Sequence, residues 1–166
     1  SETVRQRYEN TIKEQTELIA GLEELKDLPC ITADEHRVHL WVNTGLISDV
    51  VRSLDQGAEG VGLYRTEVPF LLSERFPSEH EQAEIYREQL EAFSPMPVTM
   101  RTLDIGGDKA LSYFPIEEEN PFLGWRGIRV TLDHPEIFTA QIRAMMRASA
   151  GLENLQIMLP MISNVN

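Results

Sequence analysis

Two arginines of this chain stand in the same short context. Arg65 opens "RTE" and Arg101 opens "RTLD", so each is followed by a threonine and then by a nearby acid, Glu67 or Asp104. A guanidinium presents a planar fork of donors that suits bidentate hydrogen bonding to a phosphate or carboxylate. Two such forks on neighbouring strands would converge on one small anion. The plainer alternative is that each arginine pairs with its neighbouring acid and braces a strand end, as structural ion pairs do at loop mouths. Further along, "IGGDK" sets Gly106 and Gly107 before Lys109. Two residues without a Cβ let backbone approach a ligand closely, and the lysine can fold back as a point charge. Arg126, in "GWRG", would bring a third cation to the same mouth, or else cap a carbonyl or stack on Trp125. Asn120 precedes Pro121, where the backbone is held extended, and its amide would orient that loop.

Other chemistry finds little support. "GGDK" is not a nucleotide-binding phosphate loop, because no glycine stands at the required spacing before Gly-Lys-Ser or Gly-Lys-Thr. "GVGLYR" lacks the third glycine of a dinucleotide fingerprint. His36 and His39 lie three apart in an expected strand and so point to opposite faces, unable to share a metal. His80 falls in the first turn of an exposed helix and His134 precedes a helix-starting proline. The methionines of "RAMMRASA" and "IMLPMI" read as core packing.

The elements that must position these residues follow from apolar periodicity. Val4, Tyr8, Ile12, Ile19, Leu22 and Leu25 recur near helical spacing over residues 2 to 26, a long solvated helix with one apolar stripe. Pro29 and an acidic run then break the pattern. "RVHLWVN" alternates as a strand, "ISDVVRSLDQ" is a short helix ended by the glycines of "GAEG", and "GVGLYRT" is a second strand. Ser78 and Glu81 form a capping-box signature that opens the helix "EHEQAEIYREQLEAF". "PMPVTMRTLDIGG" is a third strand, helices follow around "GWRGIRVTL" and after Pro135, and "LQIMLPMI" is a fourth strand. This β-α-β-α-β-α-β order predicts an α/β fold with parallel pairing. Four such strands make half of a (β/α)8 barrel, with open edges on strands one and four; a small doubly wound sheet is the alternative. In either fold ligands bind where strands end, which is where Arg65 and Arg101 fall.

Composition narrows the function classes. The chain has 166 residues, 42% of them apolar, enough for a packed core. With 15 Lys plus Arg against 27 Asp plus Glu its formal charge is -12, so nucleic acid is not an expected partner and any anion site must be local. The lone cysteine, Cys30, permits no intrachain disulfide and is expected to be a buried or half-buried thiol in a reducing compartment. The charged start of the chain and the absence of a long apolar run predict neither signal peptide nor membrane span, hence a cytoplasmic protein.

Taken together and in this order, "GVGLYRTE", "RTLDIGGDK", "NPFLGWRGIR" and "IMLPMI" resemble the phosphoenolpyruvate (PEP)-binding domain of the enzyme I family of PEP-protein phosphotransferases, the match running from about residue 37 to the end of the chain. "EVPFLLSERFPSEHEQ" and "GWRGIRVTLDHPEIF" look more like its nitrogen-branch paralogue than the sugar-transport enzyme. The resemblance implies a TIM barrel that binds PEP and Mg2+ at its strand tips. It further implies phosphoryl transfer to a histidine on a swivelling domain and on to an HPr-like carrier, by a homodimeric enzyme. Carried onto this chain, Arg65 and Arg101 would bind PEP, Lys109 and Arg126 would line the phosphate side, and Asp104 and Asn120 would orient them. Residues 1–29 would be a helical connector and 30–166 the N-terminal half of the barrel domain.

The departures are equally informative. None of the four histidines lies in the family's phosphoaccepting motif. The family's carboxylate Mg2+ ligands and its cysteine near the enolate carbon are expected beyond Asn166, and Cys30 is not that cysteine. No catalytic or metal-ligating residue is therefore expected in this chain, which alone would be inactive. Pyruvate phosphate dikinase and PEP synthase share similar arginines and stand as alternatives, as does a non-catalytic assembly or binding fragment.

Overall fold

The computed structural model describes residues 2–23 and 25–164. Its strands are β1 (Val42–Thr44), β2 (Val61–Arg65), β3 (Val98–Arg101) and β4 (Leu155–Met158). They pair in parallel in the order β1-β2-β3-β4. Helix α1 (Glu2–Glu23) precedes them. Between strands run α2 (Asp49–Asp55), then α3 (Glu67–Leu71) and α4 (Glu79–Phe93), then α5 (Ile128–Asp133) and α6 (Pro135–Ala148). Sequential parallel strands joined by helical crossovers are the first half of a (β/α)8 barrel, with β1 and β4 as the outer strands.

The pleat decides which side of the sheet the helices cover. Val61, Tyr64, Val98 and Met100 are buried against Tyr86, Leu90 and Phe93 of α4 and Ala144, Met145 and Ala148 of α6. Fully burying a side chain the size of Phe93 contributes about 1.5–3 kcal/mol. Arg65 and Arg101 are the last residues of their strands. Helix α4 starts sharply because Ser78 Oγ accepts from the Glu81 amide at 3.3 Å while the Glu81 carboxylate accepts from the Ser78 amide at 2.7 Å, worth about 1 kcal/mol. Gly57 ends the α2 segment at φ +80°, the left-handed conformation expected of the "GAEG" stretch. A second apolar cluster of Phe70, Leu103, Ile105, Leu111, Ile116 and Val130 takes in Phe76, Tyr113, Phe114 and Trp125. It anchors the segments that follow β2 and β3, the platform for everything at the strand tips.

Several expectations need correction. The strand expected over 37–43 is paired only at Val42–Thr44. In the preceding stretch the Leu40 amide donates to the Glu59 carboxylate and the Val38 amide to the Cys30 carbonyl, so the alternating residues there satisfy their backbone outside the sheet. The third and fourth strands are also shorter than read, and past Met158 the Pro160 carbonyl accepts from Ile128 of α5 instead. Cys30 is exposed rather than buried. Met145 is in the core but Met146, one position on, is 59% exposed, as helical geometry requires of neighbours. The first helix ends at Glu23 instead of 26, and Glu24 lies outside the described residues along with Ser1, Val165 and Asn166. Its apolar stripe, Val4, Tyr8, Ile12, Ile19 and Leu22, is exposed. No described helix is long and apolar enough to cross a membrane.

Candidate anion site at the strand tips

β2 and β3 end together. Arg65 and Arg101 are Cα partners across the parallel ladder, so the spacing read from the two "RT" motifs becomes one position in space. The register is tied just beyond by Thr66, whose Oγ1 donates to the Arg101 carbonyl at 2.6 Å.

The two guanidiniums differ in surroundings. Arg101 is half-buried and donates through Nη2 to Glu67 Oε1 at 2.6 Å, with Nη1 3.1 Å from Asp104 Oδ2. Its Nε is buried without a partner among the described residues. Arg65 is exposed and makes no ion pair among the described residues. The pairing of each arginine with its own neighbouring acid is therefore seen for Arg101 and Asp104 only. Glu67 reaches across to the other strand's arginine instead.

Glu67 opens the short helix α3 and is 2% exposed. Its Oε1 also lies 3.5 Å from Lys109 Nζ, while Oε2 is buried with no partner among the described residues. Lys109 has folded back as expected, through a turn in which its amide donates to the Gly106 carbonyl. Burying a carboxylate is costly unless it is paired, so Glu67 fixes Arg101 and draws Lys109 in.

Arg126 reaches the same mouth. Its Nε and Nη2 donate to the two oxygens of Asp104, each at 3.2 Å, and Nη1 donates to Asp108 at 2.9 Å and to the Pro121 carbonyl at 3.1 Å. The Asp104 hydrogen bonds raise its pKa above the ordinary arginine value. Trp125 stacks on Phe114, not on Arg126. The glycines act here by proximity: a Cβ on Gly106 would fall 2.9 Å from the Cβ of Arg126, and one on Gly107 3.3 Å from that of Pro121. A side chain at Gly106 would block the "NPFLG" loop from lying against "IGGDK", and one at Gly107 would crowd it.

Asn120 is exposed and works within its own loop, where its Oδ1 accepts from the Leu123 amide at 3.3 Å. It orients the loop that carries Arg126 and does not reach the arginines itself. Glu118 does more of that work, accepting from the amides of Asn120 and Trp125, bonds that lower its pKa. The structure thus brings together Arg65, Arg101, Asp104, Lys109 and Arg126, and adds Glu67, Thr66, Asp108 and Glu118. Glu67 and Asp108 sit inside the quoted motifs and carried a visible signal, whereas Glu118 is one of three consecutive glutamates and carried none. Of the histidines, His39 faces Glu59, His80 faces Glu84 and His134 faces Glu136, none of them a member of this cluster.

The sequence of residues 19–166 matches the family model described as the PEP-utilising enzyme, PEP-binding domain. The chain belongs to this family. Among curated proteins it is 49% identical, over 97% of its length, to the "Phosphoenolpyruvate-dependent phosphotransferase system" protein of Salmonella typhimurium, of which it covers 22%. It is 46% identical over 97% of its length to the "Phosphoenolpyruvate-protein phosphotransferase" of Staphylococcus carnosus, covering 27% of it. A PEP-binding domain of this family that spans about a quarter of such relatives is thus a part of their architecture, consistent with four strands of a barrel.

Proposed function

We propose that this chain forms the arginine-lined half of the PEP site in a PEP-protein phosphotransferase, which passes the phosphoryl group of PEP to one of its own histidines and then to an HPr-like carrier. The register pairing of Arg65 with Arg101 at the tips of β2 and β3 carries this reading. Phosphoryl transfer asks little covalent chemistry of the protein and much fixed positive charge around the moving group. Arg65 and Arg101 would clamp PEP, with Lys109 and Arg126 on its phosphate side. Asp104 and Glu67 hold these cations in place, and Asn120 orients the loop beneath. Residues 1–29 serve as the connector and 30–166 as the N-terminal half of the barrel.

Among the described residues no three His, Cys, Asp or Glu side chains form a metal-binding set. The carboxylates of the mouth, Glu67, Asp104 and Asp108, are engaged by cations. These residues do not fit Mg2+. In our reading its ligands, the reactive cysteine and the acceptor histidine belong to other parts of the longer, homodimeric, cytoplasmic protein, and this chain alone is inactive. The stretches "EVPFLLSERFPSEHEQ" and "GWRGIRVTLDHPEIF" favour the nitrogen-branch paralogue.

Phosphate tracing in the full-length protein tests this. Label from PEP on protein histidine and then on an HPr-type carrier, abolished by Arg101→Ala, is expected. Label arriving in ATP when AMP and inorganic phosphate are supplied would assign the protein to the dikinase or synthase reaction instead.

A further inference from the structure

We infer that Gln141, on α6, is a positioning residue that sets the relative placement of Arg65 and Arg101. This rests on the assignment of those arginines to PEP.

The buried face of α6 is otherwise apolar at Ala144, Met145 and Ala148, yet Gln141 on that face is 0% exposed. A carboxamide so placed is costly unless its hydrogen bonds are made. Gln141 makes three. Its Oε1 accepts from the Leu103 amide at 2.7 Å, and its Nε2 donates to Thr66 Oγ1 at 3.2 Å and to the Tyr86 hydroxyl at 3.0 Å. A backbone amide can only donate, so the Leu103 contact fixes which end of the carboxamide faces β3 and leaves no alternative flip.

The partners make the position functional. Thr66 directly follows Arg65, and Leu103 lies just past Arg101. β3 leaves its ladder at this point: the Thr102 amide donates to the Met158 carbonyl, and the next amide goes to Gln141. Thr66 Oγ1, having accepted from Gln141, spends its own proton on the Arg101 carbonyl. The side chain from α6 thereby closes a ring through both strand ends, from Leu103 to Gln141, to Thr66, to Arg101.

The far side of the same carboxamide is held in turn. Tyr86 OH donates to Gln82 Oε1 at 3.2 Å, and Gln82 Nε2 donates to the Pro77 carbonyl at 2.8 Å. Every donor in this relay has one direction, so removing the Gln141 carboxamide releases the Thr66 hydroxyl and the Leu103 amide, one beside each strand end, at once, whereas removing the Tyr86 hydroxyl loosens only the side away from them.

The test uses the full-length protein and four variants: Gln141→Met, which keeps the volume, Thr66→Val, which keeps the shape, Tyr86→Phe, and Arg101→Ala. PEP affinity by calorimetric titration, KM and kcat for self-phosphorylation, and thermal midpoints are measured on each. Gln141→Met and Thr66→Val are expected to weaken PEP binding at least about tenfold at a temperature where they are folded, because small misplacements of clamp groups are costly. Tyr86→Phe is expected to stay within about twofold while losing comparable thermal stability. Should Gln141→Met not fold, Thr66→Val decides. A Gln141→Met or Thr66→Val protein that melts lower but binds PEP like wild type overturns the inference and leaves the PEP assignment standing. Unchanged binding by Arg101→Ala overturns both.

Discussion

Arg65 and Arg101 are register partners at the ends of adjacent parallel strands, yet Arg101 is held between two carboxylates while Arg65 extends unpaired among the described residues. The proposed PEP clamp therefore rests on two unlike foundations. Arg101→Ala should cost about 1–3 kcal/mol of stability, because it leaves the buried Glu67 carboxylate with Lys109, 3.5 Å away, as its remaining cation among the described residues. Arg65→Ala should leave stability within about 0.5 kcal/mol, as an exposed side chain with no structural partner does. Both should weaken PEP binding, by about 10²-fold or more for a lost charge-assisted contact. Urea midpoints beside PEP titrations of the two variants check this, and equal destabilisation by both would refute it.

Gly106→Ala is expected to disturb the site through Arg126. The added Cβ would sit 2.9 Å from the Cβ of Arg126 and 3.2 Å from the Pro121 carbonyl oxygen, both of which lie on the docked loop. Overpacking of this kind costs about 1–3 kcal/mol. Gly107→Ala meets side-chain atoms of Pro121 no closer than 3.3 Å and should be milder in both stability and PEP affinity. Comparing the pair separates loop displacement from a general effect of replacing glycine.

The start of α4 should report on acid pH. Hydrogen bonds from Arg75 and from the Ser78 amide bring the Glu81 carboxyl down from the ordinary 4.5 to about 2. A carboxyl whose pKa is depressed by folding stabilises above its unfolded value and loses that contribution as pH falls through the folded value. The advantage of wild type over Glu81→Gln in denaturant midpoint should be complete near neutral pH, shrink below about 4.5 and vanish only below about 2. A difference that stayed constant across that range would show that the charge of Glu81 is irrelevant to the cap.

The legible parts of this chain were those in which one short stretch contains both cause and effect. Ser78 and Glu81 cap a helix within four residues, Gly57 closes one by its own backbone freedom, and the two "RT" motifs mark strand ends directly. Arg37–Trp41 alternates like a strand, but the decisive partner is Glu59, whose carboxylate takes the Leu40 amide and the Arg37 guanidinium. Helix α3 went unread because its five residues are too few for a periodic signal and include Pro69. Glu67 stands beside Arg65 in the sequence, yet its ion pair is with Arg101, 34 positions away. Gln141 carries no signal in the sequence, since only the packed fold reveals that it faces inward. What escaped the sequence was consistently a pairing across elements, which local pattern does not encode.

On the proposed assignment to PEP, the near-cancellation of charge at the strand tips also governs how the ligand arrives. Arg101, Lys109 and Arg126 each have a carboxylate at hand, so Arg65 supplies most of the attraction felt from outside, against a chain whose formal charge is -12. A multiply charged anion diffusing toward this surface is repelled at long range and attracted only within about a Debye length, ~8–10 Å, of the mouth. Added salt should therefore speed the encounter by screening the repulsion while hastening escape from the clamp, so that the association and dissociation rate constants rise together.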